Sequence, residues 1–433
     1  MRNSPFWWFL IGFMVLLDIY VFQTVKFLSN SASPKTKIVI YSTYWILSAG
    51  AIIILLLLPY IKFENQAKIF RTTLFAVIAG LFFAKLIASV FFLVDDLRRL
   101  IQWIAGKIFF RGTEGETIQD GERISRSAFF SWAGMLVGGG LFSTLIYGFG
   151  NKYSYQLKKM QMAFSNLPAA FKGLKIVHIS DIHSGSFADK AAVQRGVDKI
   201  LAVKPDLILF TGDLVNNLAE EMNDYKEIFS RLNAPLGVFS ILGNHDYGDY
   251  VKWDDDDDEH KKKEELEGKK LWTAKQHENL EQLKIVHTSM GWRLMMDENV
   301  ILEKGDDKIS LLGVQNWSSK VRFPKYGDLQ KAYSGLEKES FKILMSHDPS
   351  HWDAEVIKDY PDINLMLSGH THGMQFGVEI PGFKWSPVQY VYNQWAGLYE
   401  KGNQKLYINR GFGFIGYPGR VGILPEITVI ELI

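Results

Sequence analysis

Cysteine is absent from all 433 residues, which excludes disulfides, thiolate metal sites and a cysteine nucleophile. The compartment stays open, because a cysteine-free chain folds on either side of a membrane. An excess of one charge is also missing: 48 Lys and Arg against 47 Asp and Glu leave a formal net charge of +1. The global balance therefore gives no electrostatic reason to expect a nucleic-acid partner. What the chain does have is apolar residues, 47% of the total, and they are unevenly spread. Residues 1–150 carry long apolar runs, whereas the remainder alternates like a soluble domain. A chain of this length has room for two or three structural units.

Four stretches, 6–28, 38–61, 73–94 and 127–150, read as membrane-spanning helices. Each is close to the ~20 residues that cross a ~30 Å hydrocarbon core. Residues 51–58 have no polar face at all, which argues against buried core helices of a soluble domain. The length of the first stretch and the three that follow argue against a cleaved signal peptide. Lys and Arg are denser between spans 3 and 4 (Arg98, Arg99, Lys107, Arg111, Arg123, Arg126) and between spans 1 and 2 (Lys35, Lys37). On the other side lie Arg2, Lys62, Lys68 and Arg71, then Lys152, Lys158 and Lys159. The positive-inside bias puts the first and third connections in the cytoplasm and both ends of the chain outside. Leu97, Leu100, Ile101 and Ile104 recur at helical spacing, as an interfacial amphipathic helix or as a short loop helix packed on the bundle. Asp18 and Lys85 fall at similar depth in spans 1 and 3, where lone charges are expensive; they form an interhelical ion pair or snorkel separately.

From residue 171 onward, short apolar runs end in Gly, Asp, Asn and His. Residues 175–179 read as a strand leading to Asp181 and His183, followed by a helix over 188–201. A strand over 206–210 leads to Gly212-Asp213, and a helix near 219–232 follows. A strand over 235–242 leads to Gly243-Asn244-His245-Asp246. Strands over 341–345 and 363–367 lead to Ser346-His347-Asp348 and to Ser368-Gly369-His370-Thr371-His372. Alternating strands and helices imply right-handed crossovers and parallel pairing. Polar residues just past the C-terminal ends of such strands are where open α/β sheets place their sites.

The residue types suit phosphate-ester hydrolysis, which requires an activated water and neutralised phosphoryl charge. Two divalent cations ~3.5–4 Å apart supply both. Carboxylate, amide and imidazole ligands favour Mn²⁺, with Fe or Zn²⁺ as alternatives. Alternation along an extended strand end sets Asp181 and His183 on one side, so both reach one ion. Asp213 is suited to bridge, Asn244 offers an amide oxygen, and His347, His370 and His372 offer imidazole nitrogens.

Together and in this order, Asp181-x-His183, Gly212-Asp213, Gly243-Asn244-His245-Asp246, His347 and Gly369-His370-Thr371-His372 resemble the five blocks of the calcineurin-like metallophosphoesterase family. The resemblance covers 171–433 and implies a four-layer α/β/β/α sandwich behind an all-α membrane bundle (1–150) and a linker (151–170). It implies Asp181, His183, Asp213 and His372 around a first metal, and Asp213, Asn244, His347 and His370 around a second. His245 would be a non-ligand histidine assisting in-line attack, with Asp246 orienting it. Gly373-Met374-Gln375, Trp395 to Tyr399, Tyr407 to Gly411 and Pro425 to Thr428 are similar to a bacterial membrane-anchored branch of that family. Some of that branch carry a twin-arginine export signal; Ser125-Arg126-Ser127 resembles a remnant, with Ser127 where the second Arg would stand. The implied partners are the lipid bilayer and a phosphorylated, lipid-linked small molecule. The branch suggests UDP-2,3-diacylglucosamine, but that compound is made in the cytoplasm, opposite to the topology read above. A broad phosphodiesterase acting on exported substrates and a non-catalytic membrane scaffold are the competing readings.

Other polar residues read as structural. His178 fits a core or supporting position; His351 fits a helix cap or the surface; His260, His277 and His287 fit the surface. The run Asp254 to Glu259, followed by Lys261 to Lys263, reads as a solvated segment at the pocket rim. Arg410 contacts a substrate phosphate or a loop carboxylate. The aromatic segment 383–399 has the composition of a lipid-contacting rim and equally of ordinary packing.

Overall fold

The computed structural model describes residues 5–57, 65–109, 126–253, 271–337 and 340–433. It divides into two compact units after Tyr147. The acidic run from Asp254, His260 and the basic residues Arg2, Lys62, Arg111 and Arg123 lie outside the described residues.

The first unit is all helical: α1 (Pro5–Leu28), α2 (Pro34–Leu57), α3 (Asn65–Phe109) and α4 (Arg126–Gly148). All four are long and apolar enough to cross a membrane. Helix α3 is far longer than the expected 73–94 span, and Leu97, Leu100, Ile101 and Ile104 belong to it. They form no separate loop helix, because neither Gly nor Pro interrupts the chain there and Arg98 and Arg99 pair one turn back with Asp95. Helices α3 and α4 pack closely because Gly134 and Gly138 face Ala88 and Ala84: a Cβ at Gly138 would lie 2.6 Å from the Ala84 carbonyl.

Asp18 and Lys85 do pair, with Nζ 2.5 Å from the carboxylate. Ser48 Oγ, 2.6 Å from Nζ, ties α2 to the same charge, and the Tyr44 hydroxyl donates to the Asp18 carbonyl at 2.7 Å. Removing one member strands the other in an apolar bundle. Asp18→Asn and Lys85→Met are therefore each expected to cost about 3–5 kcal/mol. Thermal unfolding in detergent checks this, and the double substitution should recover most of the loss.

The second unit contains two six-stranded sheets. The first takes β1 (Gln156–Met162), β2 (Lys175–Ile179), β3 (Leu207–Phe210), β4 (Val238–Ser240), β5 (Arg293–Leu294) and β14 (Glu426–Leu432), in the order β1-β14-β2-β3-β4-β5. The second takes β6 (Glu298–Lys304), β7 (Asp307–Gly313), β8 (Phe341–Met345), β9 (Leu365–Ser368), β12 (Gly397–Lys401) and β13 (Gln404–Ile408), in the order β12-β13-β9-β8-β7-β6. Strands β2, β3 and β4 pair in parallel, as do β7, β8, β9 and β13.

Side-chain alternation sorts these strands into layers. Ile176, Leu207 and Leu209 of the first sheet meet Leu311, Ile343, Met345, Leu365 and Leu367 of the second in a shared core. Their neighbours Val177, Ile179, Ile208 and Phe210 face outward onto α5 (Lys190–Ala202), through Val193, Val197 and Ile200, and onto α7 (Ala274–Ser289) through Leu283. On the far side Leu312, Leu344 and Met366 pack against Leu329, Trp352 and Val356. The result is a four-layer α/β/β/α sandwich.

The helix expected near 219–232 is broken into a 3-10 turn (Ala219–Met222) and a single turn α6 (Lys226–Phe229). Glu221 accepts from the Asn216 backbone at 2.6 Å, and Asn279 accepts from the Ala219 backbone at 2.8 Å. At the break the Asn223 and Tyr225 N–H groups bond three residues back, to Glu220 and Met222 at 3.0 and 2.9 Å, where a continuous helix bonds four back.

Candidate metal centre

Every candidate ligand sits just past the C-terminal end of a strand: Asp181 and His183 after β2, Asp213 after β3, Asn244 after β4, His347 after β8, His370 and His372 after β9. The expected extended strand end is not what holds Asp181 and His183. Both have left-handed backbone, φ 52° and 50°, and so do Asp213 (61°), His370 (71°) and His372 (50°). Residues with a Cβ avoid this region, and such strain concentrates where a site requires it. Gly212 (φ 94°) and Gly243 press together: a Cβ on either would strike the other's loop.

Two groups of buried ligand atoms result, Asp181 with His183 and His372, and Asp181 with Asp213 and His347. His372 Nε2 lies 3.0 Å from His183 Nε2 and 3.2 Å from Asp181 Oδ1. His183 Nε2 is 3.5 Å from Asp213 Oδ2. Asn244 Oδ1 faces His370 Nδ1 at 2.8 Å.

The decisive test of fit is His347. Its Nδ1 donates to the Thr211 carbonyl at 2.7 Å, so in the neutral ring Nε2 carries the lone pair. That buried nitrogen makes no hydrogen bond among the described residues, yet it lies 3.2 Å from Asp213 Oδ2. A lone pair aimed at a carboxylate calls for a positive charge between them. Without a cation a proton on Nε2 supplies it: burial opposes charge on His347, but the Asp213 carboxylate and then Asp181 outweigh it and push it up to about 10, so a metal here would take the place of that proton. Burial likewise opposes charge on Asp213, yet His347 and His245 hold it well below the usual carboxylate range. His183 is held neutral by burial. Oxygen and imidazole donors of this kind suit a divalent cation.

A model described as "Probable Calcineurin-like phosphoesterase, transmembrane domain" matches residues 1–151, and one described as "Calcineurin-like phosphoesterase" matches 174–374. The uncharacterized metallophosphoesterase YkuE of Bacillus subtilis is 31% identical over 62% of this chain and 82% of its own. The chain belongs to the calcineurin-like metallophosphoesterase family. A Danio rerio protein called transmembrane protein with metallophosphoesterase domain is 29% identical over 63% of this chain, a match that spans only 56% of that relative's length. The UDP-2,3-diacylglucosamine pyrophosphatase LpxG of Chlamydia muridarum is 28% identical over 61% of this chain and 86% of its own.

Within this metallophosphoesterase site His245 stands apart from the ligand groups. Its Nδ1 donates to the Asn216 carbonyl at 2.8 Å, which leaves Nε2 uncommitted at the wall of a cavity of about 600 Å³. Asp246 does not touch that ring, so its expected orienting role is corrected. One carboxylate oxygen accepts from the Gly243 and Asp213 backbone (2.8 and 2.9 Å), the other from Leu214 and Val215 (2.8 and 3.2 Å). Asp246 thus clamps the Asp213 loop, while Asn216 aligns the imidazole. Burial and the Asp213 charge push Asp246 up to about 7.

Several other residues differ from the expectation. His287 is buried rather than on the surface, 3.0 Å from Ser240 Oγ, and burial pushes it down to about 3. His351 is also buried, stacked on Trp317 at 4.0 Å between ring centres. His178, as expected, is a core residue, bonded to Thr211 and lowered to about 3 by burial. Arg410 pairs with Glu379 and Glu426. The Tyr392 hydroxyl bridges His370 Nε2 (2.9 Å) and Asp348 Oδ2 (3.1 Å), and buried Arg420 spans the carbonyls of Arg410 and Gly411 beside His372. Neither was singled out from the sequence, although Asp348 follows His347 directly and Tyr392 lies within the aromatic segment.

Losing a partner that orients a ligand typically lowers metal affinity about 10–100-fold. Asp246→Asn is expected to do so, because its amide NH2 would face two of the four N–H groups that the carboxylate accepts. Competition with a fluorescent chelator checks it; affinity within about twofold of the parent refutes the clamp.

Proposed function

We propose that this chain is a membrane-anchored, metal-dependent hydrolase of a phosphoester or pyrophosphate bond in a lipid-linked substrate. The observation that carries the reading is the buried His347 lone pair set against Asp213 at the foot of a cavity walled by a free imidazole. Asp181, His183, Asp213 and His372 would hold one divalent cation, and Asp213, Asn244, His347 and His370 a second. Such a pair supplies a water nucleophile at neutral pH and neutralises charge on the phosphoryl oxygens.

The chain's own groups do the rest. With Nδ1–H fixed on Asn216, His245 holds or releases its proton at Nε2, toward the oxygen of the departing group. Lys320 and Arg322 line the same cavity, and among the described residues neither makes an ion pair. They are placed to attract the remaining anionic oxygens, including a second phosphate. Val321, Val388, Val391, Met374 and Ile415 line it beside them, which suits a substrate with an apolar portion. UDP-2,3-diacylglucosamine has both features and is the substrate that the name of the Chlamydia muridarum relative records.

The Lys and Arg distribution supports a catalytic unit outside the cytoplasm, which instead favours exported phosphodiesters. Full-length protein in detergent with Mn²⁺ is expected to hydrolyse bis-p-nitrophenyl phosphate, and excess chelator to abolish it. His245→Ala should lower kcat about 10²–10⁴-fold at full metal content, and Asn244→Ala should lower metal content itself. Undiminished hydrolysis in both variants overturns the mechanism; no hydrolysis by the parent leaves the scaffold reading. Competition by UDP-diacylglucosamine against soluble phosphodiesters then ranks the substrates.

A further inference from the structure

The two-stranded hairpin of β10 (Val378–Ile380) and β11 (Phe383–Trp385) has two unlike faces. Its register pairs Val378 with Trp385, Glu379 with Lys384 and Ile380 with Phe383. Alternation puts Glu379 and Lys384 on one face and the four apolar side chains on the other. The charged face is spoken for. Glu379 pairs with Arg410, and Lys384 Nζ donates to the Ala396 carbonyl at 2.6 Å and to the Tyr399 hydroxyl at 3.0 Å. Among the described residues the outer part of the apolar face is uncovered: Ile380 is 58% exposed and Phe383 54%. The tip is a tight Pro381-Gly382 turn, with Gly382 at φ 80°. Alongside stand Tyr390, 76% exposed and with its hydroxyl near Trp385 Nε1, and Val391, which also lines the catalytic cavity.

We infer that this apolar face, Val378, Ile380, Phe383 and Tyr390, seats in the interfacial layer of a lipid bilayer. A soluble surface leaves such a contiguous patch open only where something covers it. Three observations select lipid as the cover. Four spans hold the chain in a membrane, and only seven residues separate the end of α4 at Gly148 from the start of β1 at Gln156. The hairpin is pinned at its back, so the face is presented rigidly. Its mixture of aliphatic side chains with Tyr and Trp carrying polar ends is the composition that rests at headgroup depth. Continuity through Val391 would let an acyl-bearing substrate reach the cavity without leaving the lipid phase, a consequence that rests on the phosphoesterase reading.

The absence of native cysteine allows single labels. Full-length Ile380→Cys and Phe383→Cys, carrying an environment-sensitive dye, are compared with Asp306→Cys on the exposed turn between β6 and β7, all in phosphatidylcholine–phosphatidylglycerol vesicles. Acyl-chain-brominated phosphatidylcholine is expected to quench the first two at least about twofold and the control little, as interfacial burial of 5–10 Å requires. Unquenched labels at both positions overturn the inference. So does shielding that depends on protein-to-lipid ratio and not on bromine, since a second copy would then cover the face. As a second readout, Ile380→Asp with Phe383→Asp should raise KM for a vesicle-borne lipid phosphoester and leave soluble diester hydrolysis unchanged; an unchanged KM also overturns it. If the parent hydrolyses no diester, the phosphoesterase reading fails, while the quenching still decides this one.

Discussion

Buried carboxylates facing imidazole lone pairs are the constraint around which the second unit is organised. Asp181 and Asp213 are both out of solvent, and neither has a lysine or arginine within ion-pairing distance among the described residues. Several other buried charges are answered by a permanent opposite charge: Lys342 by Asp362, Arg410 by Glu379 and Glu426, Asp18 by Lys85. At the strand ends the answering groups are imidazoles, which accept as readily as they donate. A protein that wanted only to neutralise two aspartates would use a cation of its own. Leaving the charge to be supplied from outside makes the cluster a receptor for cations.

That receptor is costly in backbone terms. Five of its residues hold left-handed φ angles that alternation along a strand cannot produce, and each such residue stores about 1–3 kcal/mol. The turns stay in place because other groups over-determine them. Asp246 takes four backbone N–H groups around Asp213, and the His370 N–H donates to Asp181. Asp246, from the same motif as Asn244, therefore acts on the shape of the loop and leaves the imidazole beside it to Asn216.

What was legible in the sequence follows from range. Strands such as β2, β3 and β8 are short apolar runs with both faces buried, and each is punctuated at its end by the residues that do chemistry, so strand and site appear together. The pairing of β14 between β1 and β2 joins residues 250 to 270 positions apart, and no local pattern announces it. His287 looks like a surface histidine because its partner Ser240 is remote in the chain, and so is the Trp317 ring that covers His351, whose hydrogen-bond partners Ser346 and Glu355 are local. The break in the 219–232 segment was hidden because Leu218, Met222, Tyr225 and Phe229 keep a helical spacing across it, while the Asn223 and Tyr225 N–H groups bond three residues back. Long apolar helices carry their own evidence, which is why the spans were legible and the full extent of α3 was not.

The division of ligands between the sheets links stability to function. Asp181, His183, Asp213 and Asn244 come from the first sheet; His347, His370 and His372 come from the second. Between them lies a core of aliphatic side chains, which presses the sheets together without fixing how their ends line up. Hydrophobic packing is non-directional, so registration at the C-terminal edge needs contacts with preferred geometry. A cation shared by Asp213 and His347 would be such a contact, as it would draw a loop of each sheet to one point. Because ligand binding to the native state adds directly to folding free energy, the centre would staple the two halves of the sandwich at the place where chemistry requires them aligned. The cavity, the free imidazole and the Lys320–Arg322 loop are then positioned by the same event.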